Sequence, residues 1–263
     1  AEFALVANAT TESTGIYRGR QVADVTSYAP GTLEWDKTYY WRIDEVDDTD
    51  PCSPWKGNVW SFTTVKFLVV DDFEDYNDFE PDIIFDTWMD GWGVDTNGAE
   101  IGYAEPDFLA GEHFVETTIV HGGSQSMPYF YDNSGPANYS EATANIANLV
   151  IDRDWTKYGA TVLSMWFYGG PANAPEPMYV AIANYNGPTA VVYHDNPDAA
   201  LIDTWTEWTI DLTKFSDQGV DLTDVDTISI GFGDKNNRRP GGSGLVFFDD
   251  IRLYRPPESE PAQ

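Results

Sequence analysis

The stretch Leu68–Tyr76, "LVVDDFEDY", places a short apolar run in front of four acidic residues. An apolar run of this length predicts a β-strand, and the acids predict a strand end that reaches solvent. The preceding segment Val59–Thr64, "VWSFTT", alternates in the manner of a closing strand. We therefore place a domain boundary near Thr64–Lys66. The acids leave two interpretations open: a solvated strand end, or a clamp for a metal ion.

Similar strand patterns recur along the chain, separated by Gly, Pro and Asn clusters such as "GGPANAPEP" and "RRPGGSG". Short alternating segments between turn residues predict an all-β fold built from sandwiches. The predicted strands are Thr38–Val46, Asn58–Thr64, Thr161–Gly169, Met178–Tyr185, Thr189–Asp195, Thr206–Thr213, Thr227–Asp234 and Leu245–Tyr254. The resulting domains are 1–65, 66–255 and a Pro-rich acidic tail at 256–263.

Composition limits the choice of partner. The 263 residues include 44 acids against 14 bases, a formal charge of -30. Such a chain repels phosphate backbones, so nucleic acid is not an expected partner, whereas hard cations such as calcium are attracted. No run of about 18 apolar residues is present, so we predict no membrane insertion. Cys52 is the single cysteine, which rules out an intramolecular disulfide.

The first unit contains "PGTLEWDKTYYWRIDEV" and "GNVWSFTT". These motifs resemble a fibronectin type III-like module of the kind common in bacterial extracellular proteins. The resemblance implies an extracellular or cell-surface location. It also implies a structural role in the core for Leu33, Tyr39, Trp41, Trp60 and Phe62.

This unit is shorter than the roughly 90–100 residues that such a sandwich needs. Its closing strands are present, so we expect the front of the sandwich to be missing. A truncated sandwich leaves a strand edge unpaired, and such edges accept an added strand. We expect Tyr17–Tyr28 or Tyr39–Val46 to pair with a preceding segment or with a neighbouring copy of the chain.

The second unit resembles the jelly-roll carbohydrate-binding modules of families 11, 4 and 22, which have a galactose-binding-like fold. Three pieces carry the resemblance: "DDFEDY", "VHGGSQSM" and "GLVFFDDIRLY". The resemblance implies one structural calcium held by Glu74, the backbone of Gly122 and Ser124, and Asp249. Calcium prefers six to eight oxygen ligands, so an ion could join acidic strands that would otherwise repel each other.

Alternation along the strands also predicts a binding face. Successive side chains of a strand point to opposite sides, and the consistently aliphatic sets are assigned to the core. The opposite sets mix aromatic rings with short polar groups, as binding of a sugar requires. The predicted ligand-binding residues are Trp166, Tyr168, Tyr179, Tyr185, Trp205 and Glu207, with Glu141 and Asn145 from "NYSEATANI". The alternative is that loops cover these rings and complete a second small core.

The segment "FDTWMDGWGVDTNG" carries Trp88 and Trp92 on a predicted loop. An exposed pair of indoles could clamp a glycan at the rim of a groove. Large apolar residues are more often buried, so we expect both to plug the end of the sandwich instead.

Three functions fit these patterns. The favoured one is a non-catalytic extracellular module that binds a polysaccharide or glycan and is attached to a larger secreted protein. The second is a structural subunit of a filament or surface layer that assembles by β-strand addition. The third is a β-sandwich glycan hydrolase or lyase. The chain has no G-x-S-x-G elbow, no H-E-x-x-H motif and no phosphate loop, so we assign no catalytic residue.

Overall fold

The computed structural model describes residues 2–31 and 33–255, so the tail predicted at 256–263 lies outside the described residues. The chain divides into two compact units, Ala1–Lys66 and Phe67–Gln263, and the division falls directly after the segment Thr64–Lys66. More of the described residues lie in strands than in helices, which confirms the predicted all-β fold class. Among these residues, no helix is both long and apolar enough to cross a membrane.

The first unit is built on a two-stranded antiparallel sheet. Its regular elements are helix α1 (Glu2–Asn8) and strands β1 (Thr38–Trp41) and β2 (Trp60–Thr63). Side chains of a strand alternate between the two faces of the sheet. On one face Tyr40 packs edge-on against Phe3 of α1, with ring centroids 6.1 Å apart. The helix therefore lies against one side of this small sheet.

The other face of the sheet carries stacked aromatic pairs. Tyr39 stacks on Phe62 and Trp41 on Trp60, at centroid distances of 5.7 and 6.5 Å. These residues were predicted to fill a core together with Leu33. That prediction is wrong for three of them, since Trp41, Phe62 and Trp60 are 43%, 43% and 59% exposed. In the described part of the first unit no second sheet covers this face.

The segment Tyr17–Tyr28, predicted to pair with another chain, contains no strand. In the two-stranded sheet, β1 and β2 each keep one edge that no further strand pairs within the described residues. Such edges are open to strand addition. Pairing with a neighbouring copy concerns two chains, so it stays a prediction.

The second unit contains eleven strands and a few short helical turns among its described residues. The strands are β3 (Phe67–Asp71), β4 (Trp88–Met89), β5 (Ala99–Ile101), β6 (Met127–Asp132), β7 (Tyr139–Asn145), β8 (Val162–Tyr168), β9 (Met178–Ala183), β10 (Thr189–Tyr193), β11 (Thr206–Asp211), β12 (Thr227–Gly233) and β13 (Ser243–Tyr254). The helices are α2 (Ile84–Thr87) and α3 (Thr213–Ser216), with 3-10 turns at Ile146–Asn148, Lys157–Gly159 and Ala199–Leu201.

These strands form two antiparallel sheets. The five-stranded sheet has the order β10-β9-β12-β7-β4, and the six-stranded sheet has the order β11-β8-β13-β6-β5, with β3 also paired to β13. Consecutive strands often belong to different sheets: β7 and β9 lie in one, whereas β6 and β8 lie in the other. The chain therefore crosses repeatedly between the two layers of a β-sandwich, as in a jelly roll.

The aliphatic strand sets meet between the sheets. The residues assigned to the core by alternation are Leu163, Met165, Phe167, Met178, Val180, Ile182, Trp208, Ile210, Leu212, Ile228, Ile230 and Phe232. All of them are buried, which confirms the assignment. Because they come from strands of both sheets, their side chains form the shared interior of the sandwich.

Asp71 links the two sheets at one end of the sandwich. It ends β3 in the six-stranded sheet, and its Oδ2 accepts hydrogen bonds from Trp88 Nε1 of β4 (2.8 Å) and from the Tyr76 hydroxyl (2.6 Å). Trp88 is buried, as expected for a plug. Trp92 is exposed instead. Its backbone N–H donates a hydrogen bond to Asp90 Oδ1 (2.9 Å) in a tight turn, and this turn keeps the indole outside.

The buried position of Asp71 predicts a pH effect on stability. Burial raises the pKa of Asp71 from 3.8 to about 6, although hydrogen bonds from Tyr76, Trp88 and Phe73 act in the opposite direction. A raised pKa means that the folded state binds the proton more tightly. The contribution of Asp71 to stability is therefore complete below pH 4 and is lost as pH rises through 6.

We expect the free energy of unfolding of the wild type, minus that of Asp71→Asn, to fall by about 3 kcal/mol between pH 4 and pH 7, since one pKa unit corresponds to about 1.4 kcal/mol. Subtracting the value for the variant removes the contribution of the other acids, because they titrate in both proteins. Urea unfolding monitored by Trp fluorescence at several pH values measures this difference. Parallel pH profiles for the two proteins would contradict the assignment.

Candidate functional site

The outward face of the five-stranded sheet is organised in rows that cross its strands. The register of the strands defines three of them. The tyrosine row consists of Glu141, Gly231, Tyr179 and Tyr193. The two short-chain rows consist of Met89, Thr143, Ser229, Ala181 and Val191, and of Asn145, Thr227, Ala183 and Thr189. Most side chains of these two rows are short, and we call the strip that they form beside the tyrosine row the trough.

Tyr179 lies flat across the sheet because its neighbour is glycine. A Cβ added to Gly231 would overlap the Cζ and hydroxyl of Tyr179, so no larger residue fits under the ring. The hydroxyl donates a hydrogen bond to Glu141 Oε2 at 3.0 Å. Tyr179 is fully buried, and burial, followed by the Glu141 charge, raises its pKa. Tyr179 therefore forms a fixed floor and is not an open stacking surface.

Glu141 sits at the end of the same row and is neutralised locally. Its Oε1 forms an ion pair with Lys235 Nζ, while its Oε2 accepts the bond from Tyr179. Both oxygens are thus engaged by groups that hold the side chain in place. The network fixes one end of the tyrosine row.

Two further tyrosines present accessible rings. Tyr193, at the end of β10, is 38% exposed, and its ring centroid lies 5.5 Å from that of Tyr179. Tyr185, in the turn after β9, is 72% exposed. A flat ring that is open on one side can stack on the apolar C–H face of a sugar. Tyr193 is therefore the stacking candidate on this face, and Tyr185 is a second exposed ring in the adjoining β9–β10 turn.

The short-chain rows supply hydroxyl groups beside these rings. Thr143 Oγ1 and Ser229 Oγ lie 2.8 Å apart and share a hydrogen bond across β7 and β12. A hydroxyl can donate one bond and accept others. Ser229 is buried whereas Thr143 is half-buried, so Thr143 is the member of the pair that can reach a ligand. Asn145, by contrast, uses its Oδ1 to cap the 3-10 turn through Ala147 N at 2.8 Å.

The contact between Gly231 and Tyr179 generates a prediction. We expect Gly231→Ala to lower the free energy of unfolding by about 1–3 kcal/mol, because the added methyl forces the ring out of its position. Gly135→Ala is the matched control, since a Cβ there meets no atom within 4 Å. Urea unfolding compares the two variants. Equal stability of both would contradict the packing described here.

The carboxylates of this face bear on whether it could cleave a glycosidic bond. A glycosidase needs two carboxyl groups about 5–10 Å apart on either side of the scissile bond. Within the three rows, Glu141 is the one carboxylate, and it is already bound by Tyr179 and Lys235. Asp234, from the loop after β12, adds a second carboxylate near this face, where its Oδ1 accepts a long hydrogen bond from the Tyr193 hydroxyl at 3.4 Å.

The eight predicted ligand-binding residues do not share one face. Glu141, Asn145 and Tyr179 lie on the outward face of the five-stranded sheet, and Tyr185 lies in the β9–β10 turn. Trp166, Tyr168, Trp205 and Glu207 belong to the region of β8 and β11, on the outward side of the six-stranded sheet. The expectation of a single aromatic platform is therefore wrong, because β8 and β9 follow each other in sequence but lie in opposite sheets.

On the six-stranded sheet the rings pack against other side chains. The imidazole of His121 stacks on Trp166, with centroids 3.8 Å apart and planes 15° apart. Trp205 lies edge-on to both His121 and Tyr168, at 5.7 Å from each. Glu207 accepts a hydrogen bond from the Ser164 hydroxyl at 2.6 Å. This cluster matches the alternative of a second small core more closely than an open platform.

The four residues of the predicted calcium site do converge. Glu74 accepts hydrogen bonds from Ser124 N (2.8 Å) and from the Ser124 hydroxyl (2.7 Å). Asp249 Oδ2 accepts from His121 N (2.8 Å) and Gly122 N (3.1 Å). The turn 121–125 is thus held between the end of β3 and the middle of β13, as the three sequence motifs suggested.

The groups that face the two carboxylates are nonetheless donors. Backbone N–H groups and a hydroxyl proton fill the positions where a cation would bind, and an N–H cannot ligate calcium. No group of three or more His, Cys, Asp or Glu side chains suited to a metal occurs among the described residues. Calcium binding stays a prediction from the family resemblance.

The pKa values of Asp249 and Glu74 are shifted in opposite directions. Burial, with a smaller effect of the neighbouring Asp250, raises the pKa of Asp249 to about 6 against the opposing bonds from Gly122 and His121. At Glu74 burial also acts to raise the pKa, but hydrogen bonds from Ser124 and Gln125 outweigh it and lower the pKa overall. Glu74 is therefore charged at neutral pH and attracts the N–H groups of the turn.

The direct hydrogen bonds between Glu74 and the turn 121–125 predict a contribution to stability that does not depend on a metal. We expect Glu74→Gln to lower the free energy of unfolding by about 1–3 kcal/mol in excess chelator, because the new amide N–H₂ faces donors of the turn. Asp75→Asn, one residue further and exposed, is the control. Wild-type stability in excess calcium and in chelator is measured alongside. If Glu74→Gln is as stable as the wild type in excess chelator, the contribution of Glu74 to stability depends on a metal.

Sequence reasoning missed Tyr193, Thr143 and Lys235 as members of the face. Tyr193 could have been found, because alternation in "TAVVY" places it opposite the buried Ala190 and Val192. Lys235 carried no such signal, since it reaches Glu141 from a loop that is distant in sequence.

No family model and no curated protein match this chain. Among solved structures, it is similar to the family 11 carbohydrate-binding module of the cellulosomal cellulase Lic26A-Cel5E of Clostridium thermocellum. That match has a TM-score of 0.43 and 15% identity, and it covers 76% of this chain and 100% of the other.

Two further structures are similar at the same level. A family 11 module from Clostridium thermocellum in complex with a beta-1,3-1,4-mixed-linked tetrasaccharide matches with a TM-score of 0.39 and 19% identity over 74% of this chain and 97% of the other. The CBM22-1 xylan-binding domain of Paenibacillus barcinonensis Xyn10C gives a TM-score of 0.40 and 11% identity over 73% and 96%. At these values the likeness assigns no ligand, and the site has to be judged on its own residues.

Proposed function

We propose that the second unit is a non-catalytic glycan-binding module and that the glycan lies along the outward face of the five-stranded sheet. The observation that carries the proposal is the exposed ring of Tyr193 beside short polar side chains on one sheet face, with a second exposed ring, Tyr185, in the turn that joins β9 to β10. Stacking and hydroxyl recognition are the two interactions that a sugar needs. Tyr179 and Glu141 keep the floor of this face rigid beneath the ligand.

A rigid floor favours affinity. A side chain that is already fixed loses little conformational entropy when a ligand binds. Tyr179 is held by Gly231 below and Glu141 at its hydroxyl, so its position is set before the glycan arrives. The ring of Tyr193 packs against the ring of Tyr179, and this contact limits the conformational freedom of Tyr193. The face is therefore suited to an extended chain lying across several strands.

The proposal is tested by removing the two exposed rings. We expect the double variant Tyr185→Ala/Tyr193→Ala to lose affinity for its glycan about tenfold or more, a change of about 1.4 kcal/mol. Phe79→Ala is the matched control, since Phe79 is also exposed but lies outside the three rows. Calorimetry with soluble β-glucans, xylans and galactans measures binding, and unfolding curves show whether the variants stay folded.

Two results would contradict the proposal. One is wild-type protein that binds none of the glycans, and the other is a double variant that binds as tightly as the Phe79→Ala control. The non-catalytic part is checked on the same samples, because release of new reducing ends would identify an enzyme.

A further inference from the structure

Three of the 14 basic residues of the chain fall within the short stretch 235–239. Lys235, Arg238 and Arg239 lie in the loop between β12 and β13, which follows the strand that carries Gly231. In a chain with 44 acids such a local concentration of positive charge is unusual. We call residues 234–242 the basic loop.

Contacts place the basic loop alongside the tyrosine row, where it reaches both ends of the row. Lys235 forms the ion pair with Glu141, and Asp234 Oδ1 accepts a long hydrogen bond from the Tyr193 hydroxyl at 3.4 Å. The guanidinium of Arg238 lies over the ring of Tyr139, 4.5 Å from its centroid. Tyr139 is two residues before Glu141 on β7, so both side chains point to the outward face.

The charges of the loop are not all compensated. Glu141 neutralises Lys235, and Asp234 Oδ1 also binds the backbone N–H groups of Asn236 and Asn237. Arg238 and Arg239, however, take part in no salt bridge within the described residues. The guanidinium of Arg238 is thus available beside the proposed binding face, and the exposed Arg239 follows it directly in the chain.

We propose that the glycan bound on this face carries anionic groups, carboxylates or sulfates, and that Arg238 and Arg239 bind them. This inference rests on the glycan-binding function proposed above and specifies the class of ligand. A guanidinium binds a planar carboxylate or a sulfate through two parallel hydrogen bonds, which are stronger than neutral ones. Stacking on Tyr139 holds Arg238 in a defined orientation before the ligand arrives.

The large negative charge of the chain opposes this binding only at long range. At physiological ionic strength the Debye length is about 8 Å, so acids beyond the trough are largely screened. Contacts between an arginine and the ligand act at hydrogen-bond distance and are screened much less. Local recognition therefore outweighs the overall repulsion once the polymer is in place.

Matched polymers separate charge from backbone chemistry. Carboxymethyl cellulose is compared with hydroxyethyl cellulose for a carboxylate, and carrageenan with agarose for a sulfate. We expect wild-type protein to bind the anionic member of at least one pair about tenfold more tightly than the neutral member at physiological salt. Affinity electrophoresis gives this preference as a ratio within each pair.

The variant Arg238→Gln/Arg239→Gln is expected to bring the ratio close to one. Lys157→Gln/Lys214→Gln removes the same charge from exposed positions outside the basic loop and is expected to keep the wild-type ratio. Unfolding curves confirm that each protein is folded. A fall in the ratio for both double variants would indicate a general charge effect and overturn the inference.

The outcomes also separate this inference from the proposed function. If wild type binds both members of every pair equally, and the Tyr185→Ala/Tyr193→Ala variant loses that binding, the face binds glycans but the anionic inference is wrong. A preference that survives in Arg238→Gln/Arg239→Gln would likewise overturn it. If no polymer of either kind binds, both proposals fail.

Discussion

The architecture of the second unit depends on burying two adjacent carboxylates in its longest strand. Asp249 and Asp250 interrupt β13 at a bulge, where Asp250 takes a φ of +50° and the register with β8 shifts. Asp249 binds backbone N–H groups of the turn 121–125, and Asp250 binds the His121 ring at 2.7 Å. Buried carboxylates are tolerated only when such donors replace water. The same bonds dock the turn that Glu74 holds from the other side.

That turn decides which outward face of the sandwich stays open. With its backbone fixed on Asp249, His121 is placed directly over Trp166, and the rings of β8 become a packed cluster. No corresponding turn brings a ring over Tyr193 or Tyr185 among the described contacts, and both remain accessible. The turn 121–125 therefore packs the rings beside Trp166, whereas Tyr193 and Tyr185 have no such cover among the described residues.

Local alternation was enough to assign the core, because it depends only on the two-residue period of a strand. Leu163, Met165 and Phe167 were assigned to the interior without knowledge of their neighbours, and they are buried. The binding face depends on strand order, which alternation does not contain. Ring sets from β8 and β9 look equivalent in sequence, yet one belongs to each sheet. Strands as short as β4 and β5 form through pairing with β7 and β6, so their own residues give little signal.

Electrostatics of the open face follows from the same topology. The loop between β12 and β13 joins the two sheets and contacts the tyrosine row through Lys235 and Asp234. In that position a base can neutralise Glu141, which would otherwise leave a charge beside a bound sugar. One lysine is enough for this purpose, and Lys235 serves it. Arg238 and Arg239 exceed what the fold requires, since neither is paired with an acid in the described structure although the chain has acids in excess. Surplus charge of the opposite sign to the rest of the chain, held beside an accessible face, is better explained by a ligand than by stability.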